Sequence, residues 1–349
     1  MNDIVVQNHT IGPGHEPFII AEMSGNHNQS IERALDIVEA AAKSGAHALK
    51  IQTYTADTMT LDISENEFAI HDPQSLWNGY TLHKLYQEAH TPWSWHKTIF
   101  DRCTALGMIG FSTPFDATAV DLLESLHTPL YKIASFEITD LPLIRRVAKT
   151  GKPMIMSTGM ATAEEMQEAV TTARNSGCRD VVLLKCTSTY PATPENTNIL
   201  TIPDMRSRFG CQIGLSDHTM GIGVAVAAVA LGATVIEKHF TLARADGGVD
   251  SAFSLEPAEL AALVTESARA AKALGRIFYG PTEKEKPSLQ YRRSLYIAED
   301  LLAGDVLTAT NLRIIRPGLG LAPKHYDEVL GRVVKKNVKR GTPMSWDLI

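Results

Sequence analysis

Two histidines close apolar runs late in the chain, His218 in GLSDHT and His239 in IEKHF. A neutral imidazole suits borderline divalent cations, and two at matching heights on adjacent strands could share one. Glu22, near the end of FIIAEMS, could join them. His/His/Glu with water completing the sphere fits Mn²⁺, Mg²⁺ or Zn²⁺, and the imidazoles make the set less magnesium-like. Asp217 and Glu237, beside the histidines, could orient ligands instead. Lys50 and Lys132 stand in two other runs, with Gln52 ending the same run as Lys50. Around them stand the hydroxyls of Ser112, Thr113, Ser135, Ser157, Thr187, Ser188 and Ser216. A lysine at the end of an apolar strand is costly unless it meets an anion, so this set reads as a phosphate or oxyanion pocket. A Schiff-base lysine, Lys132 or Lys185, is the rival reading. A divalent metal beside an anion pocket suits joining or cleaving a C–C bond between an aldehyde and a phosphorylated three-carbon acid.

The elements that must position these groups are eight short runs: residues 18–24, 48–52, 109–114, 130–135, 153–158, 181–187, 212–218 and 235–240. Each is apolar, often β-branched, and too short for a buried helix. Each also turns polar at its end. A parallel strand covered on both faces has no use for polar groups unless its carboxyl end opens onto a site. Eight such strands predict a (β/α)8 TIM barrel with the site at its C-terminal face.

Between the runs lie helical periods with end signals. Ile31, Ala34, Leu35, Val38 and Ala41 share a face behind the N-cap Ser30. Thr162 with Glu165 forms a capping box, and Gly177 suits that helix's end. The spacing predicts further helices over 223–232 and 257–274. The interval 53–108 is too long for one βα unit; helices are expected over 82–89 and 93–106. Residues 54–80 are expected as an ordered lid loop across the barrel mouth. The charged stretch after residue 275 leads to short β-type pieces at 294–298, 311–315 and 333–336. The predicted domains are 1–280, a linker at 281–293, and a small β-rich domain at 294–349.

At 349 residues, 44% apolar and 21% charged, the chain has the composition of a soluble globular protein. No apolar stretch reaches the roughly 18 residues of a membrane span, so no membrane partner is expected. The four cysteines show no framework spacing, the N-terminus carries no secretory pattern, and a cytoplasmic location follows as an expectation. A net charge of −6 argues against nucleic acid. From residue 290 onward, however, ten Lys/Arg face six Asp/Glu, an excess of four positive charges that would suit an anionic ligand.

The segments IIAEMSGNHN, KIQTYTADTM, STPFD, YKIASFEITDLPLI, STGMAT, CTSTYP, GLSDHT and IEKHFTL together resemble the sialic acid synthase family. IIRPGLGL and the ending GRVVKKNVKRGTPM resemble its C-terminal antifreeze-like (SAF) domain. Within the family, AEMSGNHNQS, TADTMTLD and DSAFSLEP are most like the pseudaminic acid synthases. The legionaminic and N-acetylneuraminic branches are the alternative. The resemblance implies condensation of phosphoenolpyruvate with an N-acetylated amino sugar and release of phosphate.

Carried onto this sequence, the resemblance implies that His218 and His239 bind Mn²⁺, with Mg²⁺ or Co²⁺ as substitutes. Lys50, Thr113, Lys132, Ser135, Ser157 and Ser216 would hold phosphoenolpyruvate. Glu22 and Asp250 would meet sugar hydroxyls near the metal, Glu22 also handling a proton, and Tyr190 would stand close to the pocket. Gln52 and Ser188 complete the expected substrate contacts, although Ser188 stands where many neuraminate synthases carry Asn. Phe253 is expected to offer an apolar surface to C6 of a deoxy sugar. Arg316 would arrive from a second subunit, making a domain-swapped homodimer.

Overall fold

The computed structural model describes residues 2–349 except residues 74 and 76. The chain divides into two compact units, Met1–Gly275 and Arg276–Ile349.

The first unit opens with a hairpin of β1 (Ile4–Val6) and β2 (His9–Ile11), paired antiparallel. Eight parallel strands follow: β3 (Phe18–Glu22), β4 (Ala48–Thr53), β5 (Ile109–Pro114), β6 (Tyr131–Ile133), β7 (Met154–Ser157), β8 (Val181–Cys186), β9 (Gln212–Asp217) and β10 (Val235–His239). They close in sequence order, with β10 pairing both β9 and β3. The register sets His239 opposite Glu22, and Glu22 opposite Lys50, so the three lie side by side on neighbouring strands. The strands expected from the eight runs are all present.

Around the barrel run α1 (Ile31–Lys43), α4 (His96–Ala105), α5 (Ala117–Ser125), α6 (Leu141–Ala148), α7 (Ala163–Asn175), α8 (Thr201–Phe209), α9 (Gly223–Ala230) and α10 (Pro257–Leu274). Two further helices, α2 (Ala56–Met59) and α3 (Leu82–Ala89), belong to the insertion between β4 and β5. Local chemistry explains their limits. Ser30 caps α1 through the Arg33 amide at 3.1 Å, and Thr162 with Glu165 forms the expected capping box. Gly210 ends α8 in the left-handed region (φ 57°), where a Cβ would be strained. The aliphatic face of α1 (Ala34, Ile37, Val38 and Ala41) packs into the layer between helices and sheet.

Two features of this unit lie beyond the sequence reading. The expected lid loop at 54–80 is partly helical: α2 is a single turn closed by a capping box between Thr55 and Thr58. The N-terminal hairpin, unforeseen because three-residue strands leave no periodicity, closes the bottom of the barrel. Ile4, Val6 and Ile11 share a cluster with the inward residues Phe18, Ile20, Phe111, Leu184 and Val235.

The second unit contains β11 (Ser294–Ile297), β12 (Leu312–Ile315) and the one-turn helix α11 (Tyr326–Val329). The strands pair antiparallel over a core of Leu295, Ile297, Leu301, Leu307, Leu312, Val334, Val338 and Met344. The third expected strand, at 333–336, is replaced by an isolated bridge between Val306 and Val333. Residues 276–293, expected to contain the linker, carry the 3-10 turn Lys286–Tyr291. The Gln290 carbonyl accepts from the Gly318 amide at 2.8 Å, which ties the turn to this unit. Among the described residues, no helix is long and apolar enough to cross a membrane.

Candidate active site

Strand parity decides which polar groups enter the barrel. Phe18, Ile20, Ala48, Ile109, Phe111, Leu130, Ile155, Val182, Leu184 and Val235 fill the interior. Side chains alternate along a strand. The next inward positions upward are therefore Glu22, Lys50, Gln52, Thr113, Lys132, Ser157, Cys186, Ser216, Glu237 and His239. Above the apolar floor lies a cavity of about 310 Å³, whose lining includes Glu22, Lys50, Gln52, Lys132, Ser135, Ser157, Tyr190, Ser216, His218, Glu237, His239 and Asp250.

The same parity turns Lys185 and Ser112 away from the cavity. Lys185 donates to the Cys186 carbonyl at 2.9 Å, so it does not stand where a Schiff-base lysine would. Ser112 bonds to Thr53 and to the Ile51 carbonyl. Asp217 also faces outward, where it pairs with Lys238 at 2.9 Å.

Inside, two lysines and two glutamates form one network. Lys50 Nζ lies 2.8 Å from Glu22 and 3.8 Å from Glu237, and Lys132 Nζ lies 3.5 Å from Glu237. Lys50 donates to Thr113 Oγ1 at 3.2 Å and Lys132 to Ser157 Oγ at 2.7 Å. Gln52 donates to Glu22 at 2.9 Å, and Ser216 to Glu237 at 3.2 Å. Thr113 thus stands behind Lys50 rather than on the cavity wall.

All four ionisable groups are buried, and their pKa values move in different directions. Burial raises the Glu22 carboxyl in spite of Lys50. Burial would lower Lys50, but the Glu22 and Glu237 carboxylates outweigh it and hold the ammonium above its ordinary range. For Lys132 burial prevails over Glu237 and the pKa falls. Glu237 is lowered, because the two ammonium groups overcome its burial. Compensated charges of this kind mark a site prepared for an ionic ligand.

The two imidazoles sit above this network with ring centroids 5.3 Å apart. His218 Nδ1 lies 2.9 Å from the Thr187 carbonyl and 3.9 Å from the Cys186 sulfur. A carbonyl can only accept, so Nδ1 carries a proton and Nε2 is the nitrogen left to meet a ligand. His239 Nδ1 is buried without a hydrogen-bond partner, 3.7 Å from Asp250. Burial and the neighbouring cations hold His239 well below the usual imidazole range, and therefore neutral. Asp250 accepts a short hydrogen bond from Ser24.

Among the described residues no group of three or more His, Cys, Asp or Glu forms a metal cluster. Two imidazoles, one with an orphaned nitrogen, nevertheless fit a divalent cation whose remaining positions go to water or substrate. Charge favours the same reading. Lys50 and Lys132 are offset by Glu22, Glu137, Glu237 and Asp250, a formal balance of −2 that would repel an anionic substrate. A divalent cation cancels it.

The remaining candidates lie at the rim or outside. Gly159 allows Ser135 and Ser188 to approach each other: its amide donates to Ser135 Oγ at 3.1 Å, and a Cβ there would collide with Ser188 Oγ. Tyr190 lies tilted against His218, with ring centroids 4.6 Å apart. Phe253 is buried behind the imidazoles, 4.9 Å from the His239 ring and 5.3 Å from Tyr190, and presents no open face to the cavity. Arg316 belongs to the second unit and is exposed.

Sequence reasoning missed Glu137, which lines the cavity with an unpartnered Oε2 and a pKa pushed up to about 7 by burial. It sits in the 3-10 turn Ser135–Glu137 beyond β6, where strand parity no longer predicts direction. It also missed Cys186, whose inward position parity gives once the strand limits are known.

The NeuB family model matches residues 37–279, and a SAF domain model matches residues 292–349. The chain belongs to the NeuB family. A pseudaminic acid synthase from Helicobacter pylori is 43% identical over 95% of this chain and 97% of its own length. An N,N'-diacetyllegionaminic acid synthase from Campylobacter jejuni is 36% identical over 92% of this chain and 96% of its own. The crystal structure of an N-acetylneuraminic acid synthetase from Leptospira borgpetersenii, in complex with citrate, superposes with a TM-score of 0.74 at 32% identity. It covers 83% of this chain and 96% of that one. In this NeuB-family chain the model match contains every cavity residue discussed above except Glu22 and Ser24, which the barrel closure brings beside β10.

Proposed function

We propose that the chain is a pseudaminic acid synthase, condensing phosphoenolpyruvate with 2,4-diacetamido-2,4,6-trideoxy-altrose and releasing phosphate. The observation that carries this reading is the buried Lys50–Glu22 and Lys132–Glu237 network beside two imidazoles at the open end of a barrel. Similarity to the Helicobacter pylori pseudaminic acid synthase supports the choice of sugar over the legionaminic alternative.

In this reading His218 and His239 hold the divalent cation, Mn²⁺ by preference, with Asp250 and Glu22 near it. When bound, such an ion polarises the carbonyl oxygen of the acceptor. Lys50, steadied by Thr113 behind it, and Lys132, with Ser135, Ser157 and Ser216, hold the phosphate and carboxylate of phosphoenolpyruvate. C3 of the enol attacks the aldehyde carbon of the open-chain sugar and forms the new C–C bond. Glu22, a buried carboxyl in register with His239, gives a proton to the aldehyde oxygen as it becomes a hydroxyl. Water then adds to the cationic C2 and loses a proton. The C2–O bond breaks, phosphate leaves with the bridging oxygen beside Lys132, and loss of the hydroxyl proton yields the 2-oxo acid. Arg316, supplied by a second copy in a domain-swapped homodimer, adds positive charge over the mouth. A cytoplasmic location suits a reaction fed by phosphoenolpyruvate.

The test is phosphate release from phosphoenolpyruvate with the diacetamido altrose, the diacetamido mannose or N-acetylmannosamine, each with Mn²⁺ and with EDTA. Turnover is expected with the altrose and Mn²⁺, and not with EDTA. Turnover with N-acetylmannosamine alone would reject the sugar assignment.

A further inference from the structure

The cavity has two chemically different halves. Its deep half is the ionic network on the barrel strands. Its outer half is built by the β4–β5 insertion and the turn after β5, where Met59, Ile70, Leu82, Leu85, Tyr86 and Phe115 line the wall. The change follows the chain. Inward positions climb β4 from Lys50 to Gln52 and on to Tyr54, roughly 7 Å per pair of residues at strand rise. The chain then enters α2, which ends at Met59.

This wall is held in place. Tyr54 meets Tyr86 and Phe115 edge-on, with centroids 5.8 and 5.2 Å apart. Ile70 exchanges backbone hydrogen bonds with the strand-like return: its amide donates to Tyr80 at 2.8 Å and its carbonyl accepts from Gly79 at 2.9 Å. Trp77 Nε1 donates to the Val249 carbonyl at 3.2 Å, tying the insertion to the loop that carries Asp250.

The direction of the acceptor follows from its chemistry, given the function proposed above. Its aldehyde carbon must reach the imidazoles and the enol phosphate in the deep half. The sugar chain therefore extends outward, and its C4–C6 end meets the insertion. We propose that the apolar wall of Met59, Ile70, Leu82 and Leu85, backed by Tyr86 and Phe115, selects the acceptor by its C6 methyl and its 4-acetamido methyl. A 6-hydroxylated sugar would bury an oxygen against Met59, Ile70, Leu82 and Leu85, which offer no partner. Glu137 is the carboxyl on this part of the lining, and it can satisfy one N–H or O–H but not a whole polar tail. Rejection of a hydroxyl by an apolar pocket amounts to roughly 10–100-fold in kcat/KM.

The test compares 2,4-diacetamido-2,4,6-trideoxy-altrose with its 6-hydroxy counterpart, at saturating phosphoenolpyruvate and Mn²⁺, for the wild type and for Leu82→Asn and Met59→Gln. The wild type should favour the deoxy sugar by roughly 10–100-fold. Each variant should narrow that ratio by about an order of magnitude through the acceptor KM. The KM for phosphoenolpyruvate should stay as in the wild type, which also shows that the variant is folded. A wild-type ratio near one would overturn the proposal. So would variants that fold and lower both acceptors equally. If the wild type turned over neither sugar, the function proposed above would fail and this inference with it. If it used the deoxy sugar but ignored these substitutions, only the inference would fail.

Discussion

Lys238→Met tests how the two imidazole-bearing strands are held together. Lys238 immediately precedes His239, is fully buried, and points away from the cavity. Its ammonium meets Asp217 Oδ2 at 2.9 Å and donates to the Thr219 and Gly221 carbonyls at 2.6 and 2.8 Å, so all three protons are used. Asp217 immediately precedes His218, and its other oxygen accepts from the Thr219 amide at 3.0 Å and hydroxyl at 2.8 Å. The pair therefore clamps β9 to β10 and fixes the turn that begins with His218. Methionine fills the volume but leaves a buried carboxylate and two carbonyls without their partner. Breaking a buried pair in this way costs about 3–5 kcal/mol. At about 2–4 °C per kcal/mol for a large domain, the melting temperature should fall by roughly 6–20 °C. Mn²⁺ affinity, read as free Mn²⁺ by electron paramagnetic resonance, should weaken by about tenfold. The double variant Asp217→Asn/Lys238→Met should recover more than half of the lost stability, since no unpaired charge remains. A melting temperature within about 2 °C of wild type would refute the energetic argument. Unchanged Mn²⁺ affinity in a destabilised variant would refute the link to the histidines.

Other consequences follow from the same geometry. Gly159→Ala would push a methyl into Ser188 and to 2.8 Å from Ser135 Oγ, so the KM for phosphoenolpyruvate should rise by about tenfold with a small loss of stability. Glu237→Gln removes the carboxylate that balances Lys50 and Lys132; fluorescence titration should show altered affinity for phosphoenolpyruvate while Mn²⁺ binding persists. His27 and His96 are held down to about 4 by burial, far below their unfolded value of 6.5. The unfolded chain thus binds more protons between these values, and their contribution to stability is complete above pH 6.5 and lost as pH falls toward 4. Urea midpoints should drop over that range by the equivalent of a few kcal/mol, with a shallower slope in His96→Asn. A flat profile would contradict neutral burial.

Much of this fold is legible in the sequence because β-strand chemistry is local. A five- to seven-residue apolar run that turns polar at Lys50, Lys132 or Glu22 announces both a buried strand and the end that opens on a site. Register and parity then convert neighbouring runs into neighbouring side chains, as with His239 and Glu22. What stayed hidden depends on contacts between distant segments. The hairpin at Ile4–Ile11 is too short to show a period, and its role is visible only once Ile4 and Val6 are seen inside the barrel. Glu137 leaves its strand through a 3-10 turn, so spacing gives no direction. Phe253 was expected to offer the apolar surface that C6 of a deoxy sugar needs; the turn instead folds it behind the histidines. The apolar wall joins side chains from Met59 to Phe115, a stretch with no single periodicity.

Phosphoenolpyruvate labelled with ¹⁸O in its bridging position tests the proposed chemistry most directly. With the diacetamido altrose and Mn²⁺, the released phosphate should carry the label, match the nine-carbon acid one to one, and be absent without acceptor. Unlabelled phosphate, or phosphate formed when no sugar is present, would contradict attack by the enol carbon followed by C–O cleavage in this cavity.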